Sequence, residues 1–372
     1  MGSVSVSNLA LLPFVLLFAW TALMGLNPPR IIKDIHRVGI KDMAGRVAAV
    51  TPPAQRVVSV APILADYLTV DQSSSHVVGM ARPSMNGTKI GILPKLYPLR
   101  PGMAITSPTV TPTDPEIFYA LHADAVFSWA QFSESLRTID LAPLVQITQP
   151  GRNFSLEAAR WRLIGKVAGK PARAEELLQS WVARRNSLEK QLRANVLKPV
   201  RVAILNQVLD SFVLGSGRGF YLNGSLEFAG GHNAAESLVF SNVPAGIVEQ
   251  LLLLDPDMIL LNSGADYPSP EELYQAPEFQ TIRAVRERKV YTMPLWYLSG
   301  STVVETPLLL QWMAELIHPE AVRPELRAAY KDTYKLVYNY QISEDEIDRA
   351  ILFPENNHSA GYQRFSRAAA EK

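Results

Sequence analysis

The sequence predicts an α/β protein of two Rossmann-like lobes joined by a single long α-helix, and three observations carry that prediction. Short β-branched runs alternate with helical patterns along most of the chain. The alternation is interrupted once, by an all-helical stretch from Ser155 to about Val196. A unit of the first half is then echoed in the second. With 372 residues, 48% hydrophobic and 19% charged, the chain is long enough for two domains and too apolar to be disordered.

Each element has its own signal. Arg56–Pro62 is a β-branched run stopped by a proline, and Ile63–Val70 follows with helical spacing. Val77–Met80 reads as a strand, and Ala81–Met103, rich in Pro and Gly, as a long loop. Asp114-Pro115-Glu116 opens a helix that runs to Leu121, and Asp124–Trp129 and Leu144–Thr148 read as strands. The helical stretch is broken at Pro171, and its second part places Leu177, Leu178, Trp181, Leu188 and Leu192 on one side. A helix of roughly 25 residues would be about 37 Å long, enough to brace two lobes.

The strand and helix alternation restarts with Arg201–Leu205 as a strand, Val248–Leu254 as a helix, and Asp257–Leu261 and Lys289–Met293 as strands. Residues 114–127 and 247–260 both pass from a glutamate through an apolar helix and an aspartate into a buried strand, so the lobes should share one unit. Pro324–Lys372 reads as helical and polar, with a capping box at Ser343–Glu346. The chain thus divides into 1–26, 44–154 (first lobe), 155–197 (linking helices), 198–320 (second lobe) and a helical extension, 321–372.

Composition excludes much. A net charge of +1, from 36 basic and 35 acidic residues, gives no field for nucleic acid. The absence of cysteine excludes disulfides, thiolate nucleophiles, iron–sulfur clusters, cysteine-ligated zinc and a lipidated N-terminal cysteine. The six histidines lack a spacing that would set two on one helix or strand face, so no preformed metal site and no cofactor is expected. Gly215–Gly224 looks like a phosphate loop but lacks the dinucleotide spacing and the P-loop lysine, and reads better as a turn presenting Arg218 and Tyr221. No hydrolase signature occurs. The almost unbroken apolar run Leu9–Leu26 makes residues 1–26 a signal peptide or an N-terminal membrane anchor, and the protein an exported one.

In open α/β sheets ligands sit beyond the carboxyl ends of the strands. Arg82, Trp129, Trp296 and Tyr297 lie just past predicted strand ends, with Arg218 and Tyr221 in the glycine-rich loop. Aromatic rings and guanidinium groups together suit a bulky, partly anionic ligand, or else simply plug the surface between lobes.

The ordered set Gly45-Arg46, Arg56–Ser59, Val78-Gly79, the Asp124 strand, Leu226–Asn233, Glu249–Leu252, Asp255–Ile259 and Arg283–Tyr291 resembles the iron-siderophore and cobalamin branch of ABC-importer substrate-binding proteins, over about residues 44–320. The chain departs from that family at His122-Ala123-Asp124, where Lys-Pro-Asp is common, and in lacking the lipobox cysteine. The resemblance implies two lobes on one long helix with a ligand cleft between them. It also implies an iron(III)-siderophore or similar metal chelate as ligand, with haem, cobalamin or an oxyanion as alternatives. The partners it implies are an ABC permease dimer with its ATPase subunits, with no nucleic acid, and the protein would be a periplasmic monomer without catalysis, tethered to the inner membrane if the N-terminal segment is retained. By position, Glu116 and Glu249 match the family's permease-docking glutamates, one per lobe; as first-turn acids they also stabilise helix starts. The competing classes are a two-lobed α/β enzyme and an anchored scaffold protein.

Overall fold

The computed structural model describes residues 37–82, 91–109, 116–130, 144–147, 154–195, 197–208, 211–218, 220–238, 246–262, 269–294 and 302–370. The chain divides into two units, Met1–Arg37 and Val38–Lys372, and every described element belongs to the second. The Leu9–Leu26 run lies outside the described residues. Among the described residues no helix is long and apolar enough to cross a membrane.

A hairpin comes first, β1 (Val38–Lys41) against β2 (Val47–Val50). The first lobe then forms a sheet from β3 (Val57–Ser59), β4 (Val77–Ala81), β5 (Ala104–Ser107), β6 (Ala125–Trp129) and β7 (Leu144–Ile147), in the order β5-β4-β3-β6-β7, all parallel. Helices α1 (Leu64–Asp71), α2 (Leu93–Leu96) and α3 (Glu116–Ala120) connect these strands. The order reverses between β3 and β6. Side chains alternate across the sheet: Ala125, Phe127 and Trp129 of β6 face the main core, while Val126 joins Val58, Val60, Ala81 and Phe118 on the α3 face.

Helices α4 (Phe154–Val167) and α5 (Pro171–Arg193) follow. Proline at the first position of α5 separates them, as the sequence predicts. Leu177, Leu178, Trp181, Leu188 and Leu192 are all buried, and at 1.5 Å per residue α5 is about 35 Å long.

The second lobe holds β8 (Val200–Val208), β9 (Ser211–Leu214), α6 (Asn223–Phe228), β10 (Gly231–Asn233), α7 (Ile247–Leu254), β11 (Met258–Asn262), α8 (Pro270–Gln275), α9 (Arg283–Arg286) and β12 (Val290–Thr292). Its parallel strands run β10-β8-β11-β12, reversing between β8 and β11, and β9 folds back antiparallel on the carboxyl half of β8. Val202, Ile204, Met258 and Leu260 enter the same core as the first lobe's inner face, and Ala203, Leu205, Ile259 and Leu261 form a second core under α7. One continuous apolar body therefore joins both lobes.

The echoed unit is real at atomic detail. Asp124, just before β6, accepts the backbone N–H groups of Gln55 and Arg56 at 2.8 Å each, and Arg56 Nε donates to the Leu121 carbonyl at 2.8 Å. Asp257, just before β11, accepts the Arg201 N–H at 2.8 Å, and Arg201 Nη2 donates to the Leu254 carbonyl at 2.6 Å. In each lobe a carboxylate clamps the start of the neighbouring strand, and that strand's arginine ties down the end of the intervening helix.

Helices α10 (Thr302–Ile317), α11 (Leu326–Tyr338), α12 (Glu344–Ala350), α13 (Phe353–Asn356) and α14 (Arg367–Ala370) close the chain. The Ser343 capping box forms as expected: its hydroxyl accepts the Glu346 N–H at 3.2 Å, and Glu346 Oε2 accepts the Ser343 N–H at 2.9 Å. The extension touches both lobes. Tyr338 and Thr69 share a hydroxyl hydrogen bond at 2.9 Å on the first lobe. On the second, Asn356 bonds both the N–H and the carbonyl of Thr292, at 2.7 and 2.9 Å, along edge strand β12.

The hairpin β1–β2 and the strands β5, β9 and β10 go beyond the elements predicted above, and α2 falls inside the stretch read as a long loop. Four-residue and three-residue strands such as Ala104–Ser107 and Gly231–Asn233 have no periodicity to show and exist because a partner strand holds them.

Burial pushes the Asp257 carboxyl up, but the Arg201 N–H and the Arg283 guanidinium, 3.0 Å away, outweigh it and hold it below the usual carboxylate range. A folded-state pKa below the unfolded one gives stability that is present above the unfolded pKa and lost as pH falls through the folded value. Asp257→Ala should therefore unfold earlier in denaturant than the wild type at about pH 7, with the gap closing towards about pH 3. A gap that stays constant over that range would contradict the clamp.

Candidate functional site

At the carboxyl edge of the second sheet the apolar face of β8 and β11 ends in a polar pair. Asn206 and Asn262 stand opposite each other in the parallel register, one pleat beyond Ile204 and Leu260. Asn262 Nδ2 donates to Asn206 Oδ1 at 2.6 Å and to the Tyr221 hydroxyl at 2.9 Å. These strands flank the point where the strand order reverses, which is where open α/β sheets bind ligands.

Tyr221 is carried there by the loop between β9 and α6. Gly215 N–H continues the hairpin to the Ile204 carbonyl at 2.7 Å, and Gly217, at φ +84°, bonds the Ala235 carbonyl at 3.2 Å. Phe220 N–H returns to the Gly217 carbonyl at 3.1 Å. Two asparagines hold the loop shut: Asn223 Nδ2 donates to the Gly217 carbonyl at 3.0 Å, and Asn233 Nδ2 to the Gly215 carbonyl at 2.9 Å and to Asn223 Oδ1 at 2.7 Å. A β-carbon at position 215 would lie 2.5 Å from the Phe220 ring, so only glycine lets that ring seat against the loop and flank Tyr221, 5.0 Å between centroids. The N–H groups of Gly215, Gly217 and Phe220 are committed to carbonyls, which fixes the turn that presents Tyr221.

The sequence-nominated residues fall as follows. Tyr221 is 38% exposed, and burial of the rest of the ring raises its phenol, partly offset by the hydrogen bond from Asn262. Arg218 sits in the same loop, exposed, with no hydrogen bond or ion pair to its guanidinium among the described residues. Arg82 directly follows β4 at the carboxyl edge of the first sheet, also exposed and without such a partner among the described residues. Trp129 ends β6 at the same edge, but only 5% of it is exposed and it packs in the main core. Trp296 and Tyr297 lie outside the described residues. The structure thus joins Tyr221 and Arg218 in one loop and sets Arg82 and Trp129 at the matching edge of the other sheet.

Asn206, Asn262, Asn223 and Asn233 were missed from sequence. The signal was present for two of them: both central strands of the second lobe carry Leu-Asn where their parallel pairing ends, at 205–206 and 261–262. Among the described residues no group of three or more His, Cys, Asp or Glu side chains could hold a metal ion.

Glu116 and Glu249 occupy equivalent exposed positions in the first turns of α3 and α7. The Glu249 carboxylate turns back over the helix start, so that a β-carbon on Gly246 would lie 2.0 Å from its Oε2.

Residues 138–295 match a family model described as periplasmic binding protein. Among solved structures, a periplasmic solute binding protein from Veillonella parvula superposes with a TM-score of 0.71 at 22% identity, over 86% of this chain and 98% of its own. The chain has the fold of these periplasmic solute-binding proteins. The molybdate periplasmic binding protein MolA of Haemophilus influenzae, bound to molybdate, is similar at a TM-score of 0.64 and 19% identity, over 82% of this chain and 99% of that one. CeuE of Helicobacter pylori, in a nickel–histidine complex, gives 0.62 and 19%, over 84% and 98%. No curated protein matches the sequence. The two sheets and the long helix α5 match the fold class that the sequence predicts.

Removing the amide at Asn233 leaves three buried partners unsatisfied, the Gly215 carbonyl, Asn223 Oδ1 and the Ala235 N–H, at about 1–3 kcal/mol each. Asn233→Ala should lower the unfolding free energy by about that amount and open the loop, so that trypsin cuts after Arg218 faster than in the wild type. Unchanged cleavage kinetics would show that the asparagines do not hold the loop.

Proposed function

We propose that this protein is the substrate-binding component of an ABC importer, capturing an iron(III)-siderophore or similar metal chelate in the periplasm as a monomer and delivering it to a permease dimer with its ATPase subunits. It binds and does not turn its ligand over. The observation that carries the reading is the pair of prepared sheet edges, one per lobe on a shared core, in a chain whose fold is that of periplasmic solute-binding proteins. Arg82, Trp129, Arg218, Tyr221, Trp296 and Tyr297 form the ligand site in this reading, with the two exposed guanidinium groups, which have no partner among the described residues, meeting anionic oxygens.

A second reading, an oxyanion ligand, is favoured by the similarity to a molybdate-bound protein and by the same two arginines. Tryptophan fluorescence titration with ferric catecholate and hydroxamate chelates, haem, cobalamin and molybdate separates the readings. Saturable quenching by one class is expected; no response in emission or melting temperature to any of them would overturn ligand binding. For the ligand that responds, Arg82→Ala and Arg218→Ala should each weaken binding about tenfold while leaving the melting temperature within a few degrees.

Docking of the permease by Glu116 and Glu249 follows from their equivalent places in two like lobes, since a dimeric permease presents the same surface twice. Exposed ion pairs of this kind steer more than they bind, at about 0–1 kcal/mol each. The double variant Glu116→Arg, Glu249→Arg should keep its ligand affinity and lose uptake in cells. Normal import by that variant would reduce both residues to helix-start acids.

A further inference from the structure

The outer edge of β12 is closed without a strand. Residues 356–360 of the extension run along it instead, and they bond to it mostly through side chains. The Arg288 carbonyl accepts the Ala360 N–H at 2.8 Å, and the Val290 carbonyl accepts the Ser359 hydroxyl at 2.6 Å. The Tyr274 hydroxyl, from α8, accepts the Val290 N–H at 3.1 Å. At the far end Asn356, wholly buried, holds both backbone groups of Thr292. Its Oδ1 accepts the N–H at 2.7 Å and its Nδ2 donates to the carbonyl at 2.9 Å, as a neighbouring strand would.

The setting of Asn356 is over-determined. The chain turns at Leu352, φ +51°, a left-handed conformation that a non-glycine residue seldom adopts, and this turn starts α13, whose last residue is Asn356. The Asn356 backbone is tied on both sides as well, its N–H to the Leu352 carbonyl at 3.1 Å and its carbonyl to the Ser359 N–H at 2.9 Å. Beyond Thr292 there is little slack. The Met293 N–H makes the last strand bond, to the Leu261 carbonyl at 2.9 Å, and Pro294 follows with its fixed φ. Leu295, Trp296 and Tyr297 come directly after.

We propose that Asn356 is a positioning residue for the ligand site: standing in for a neighbouring strand, it fixes the end of β12 and with it the direction in which the chain leaves towards Trp296 and Tyr297. The inference rests on the ligand-binding reading above, which puts those two residues in the site, and adds to it a residue of the C-terminal extension that touches no ligand. A rigid, fully bonded support of this kind is what an aromatic contact needs if it is to be in place before the ligand arrives.

Two measurements test it. The first needs no ligand. With nitrogen-labelled tryptophan, the Trp296 indole NMR resonance is identified by its loss in Trp296→Phe and followed in Asn356→Ala, Asn356→Asp and Ser359→Ala. It should shift or split in Asn356→Ala and stay in place in Ser359→Ala, which loses a bond on the same edge farther from the strand end. A protonated carboxyl donates and accepts as the amide does, so at low pH Asn356→Asp should hold the resonance at its wild-type position where Asn356→Ala does not. A resonance unmoved in Asn356→Ala, moved as far in Ser359→Ala, or still displaced in Asn356→Asp at low pH overturns the proposal, because each makes Asn356 a packing residue. Should Asn356→Ala not fold, Asn356→Asp, which keeps the side-chain volume, carries the comparison between neutral and low pH.

The second titrates a tris-catecholate iron(III) chelate and molybdate into the same variants. Asn356→Ala should weaken whichever probe binds by about tenfold, and Ser359→Ala by less than about twofold. An affinity unchanged in Asn356→Ala while Trp296 is displaced would mean that the segment is positioned but lies outside the site, and the proposal fails. If neither probe binds the wild type, the ligand-binding reading is what falls, and the indole resonance still decides what Asn356 holds.

Discussion

Two half-buried aspartates hold the molecule's working strands in register. Asp124 clamps the start of β3 from the foot of β6, and Asp257 does the same for β8 from the foot of β11. A parallel pair has no hairpin to fix its register, and a slip of one residue would exchange the two faces of every strand. The consequence appears at the opposite end of the same strands. With Val202 held against Met258, Asn206 comes out level with Asn262, and the hydrogen bonds from Asn262 to Asn206 and Tyr221 can form. In the first lobe Val57 is held against Ala125, and Trp129 emerges at the edge beside the turn of β3, whose Ala61 N–H bonds the Phe127 carbonyl at 3.1 Å.

The lobes are joined by more than their connecting helix. Leu177, Leu178, Trp181, Leu188 and Leu192 of α5 are part of a core that also takes in both sheets, α10 and the C-terminal helices. Arg185 of α5 lies over Phe154 of α4 at 5.3 Å and over Phe228 of α6 at 4.7 Å, a guanidinium sandwiched between rings on either side of the connection. The extension after Pro324 adds bonds to Thr69 in one lobe and Thr292 in the other. Burial over so many elements resists independent movement of the halves, because sliding one past the other would expose apolar area at about 25 cal/mol per Å².

Much of this was legible in the sequence because it rests on local pattern. The strands at 57–59, 77–81, 125–129, 144–147, 200–208, 258–262 and 290–292 announce themselves as β-branched or apolar runs, and the amphipathic spacing of 171–193 fixes which face of α5 is buried. The echo between residues 114–127 and 247–260 predicted two like lobes, and the matched Arg–Asp clamps bear that out. Elements that depend on a distant partner gave no signal: β10 is three residues beginning with glycine, and its existence is decided by pairing with Val200–Val202.

The candidate site divides along the same line. Sequence alone determined the fold class, the repeated unit, the helix spine and the chemistry of the nominated side chains, because periodicity and residue type are properties of short segments. It nominated Tyr221 and Arg218 from their place in a glycine-rich turn. Only the tertiary structure decided that four asparagines from β8, α6, β10 and β11 build and aim that turn, since a hydrogen bond spanning 41 or 56 positions leaves no periodic trace. It also decided that Trp129 is held in the core, because the face a strand residue takes depends on which side of the sheet the helices cover.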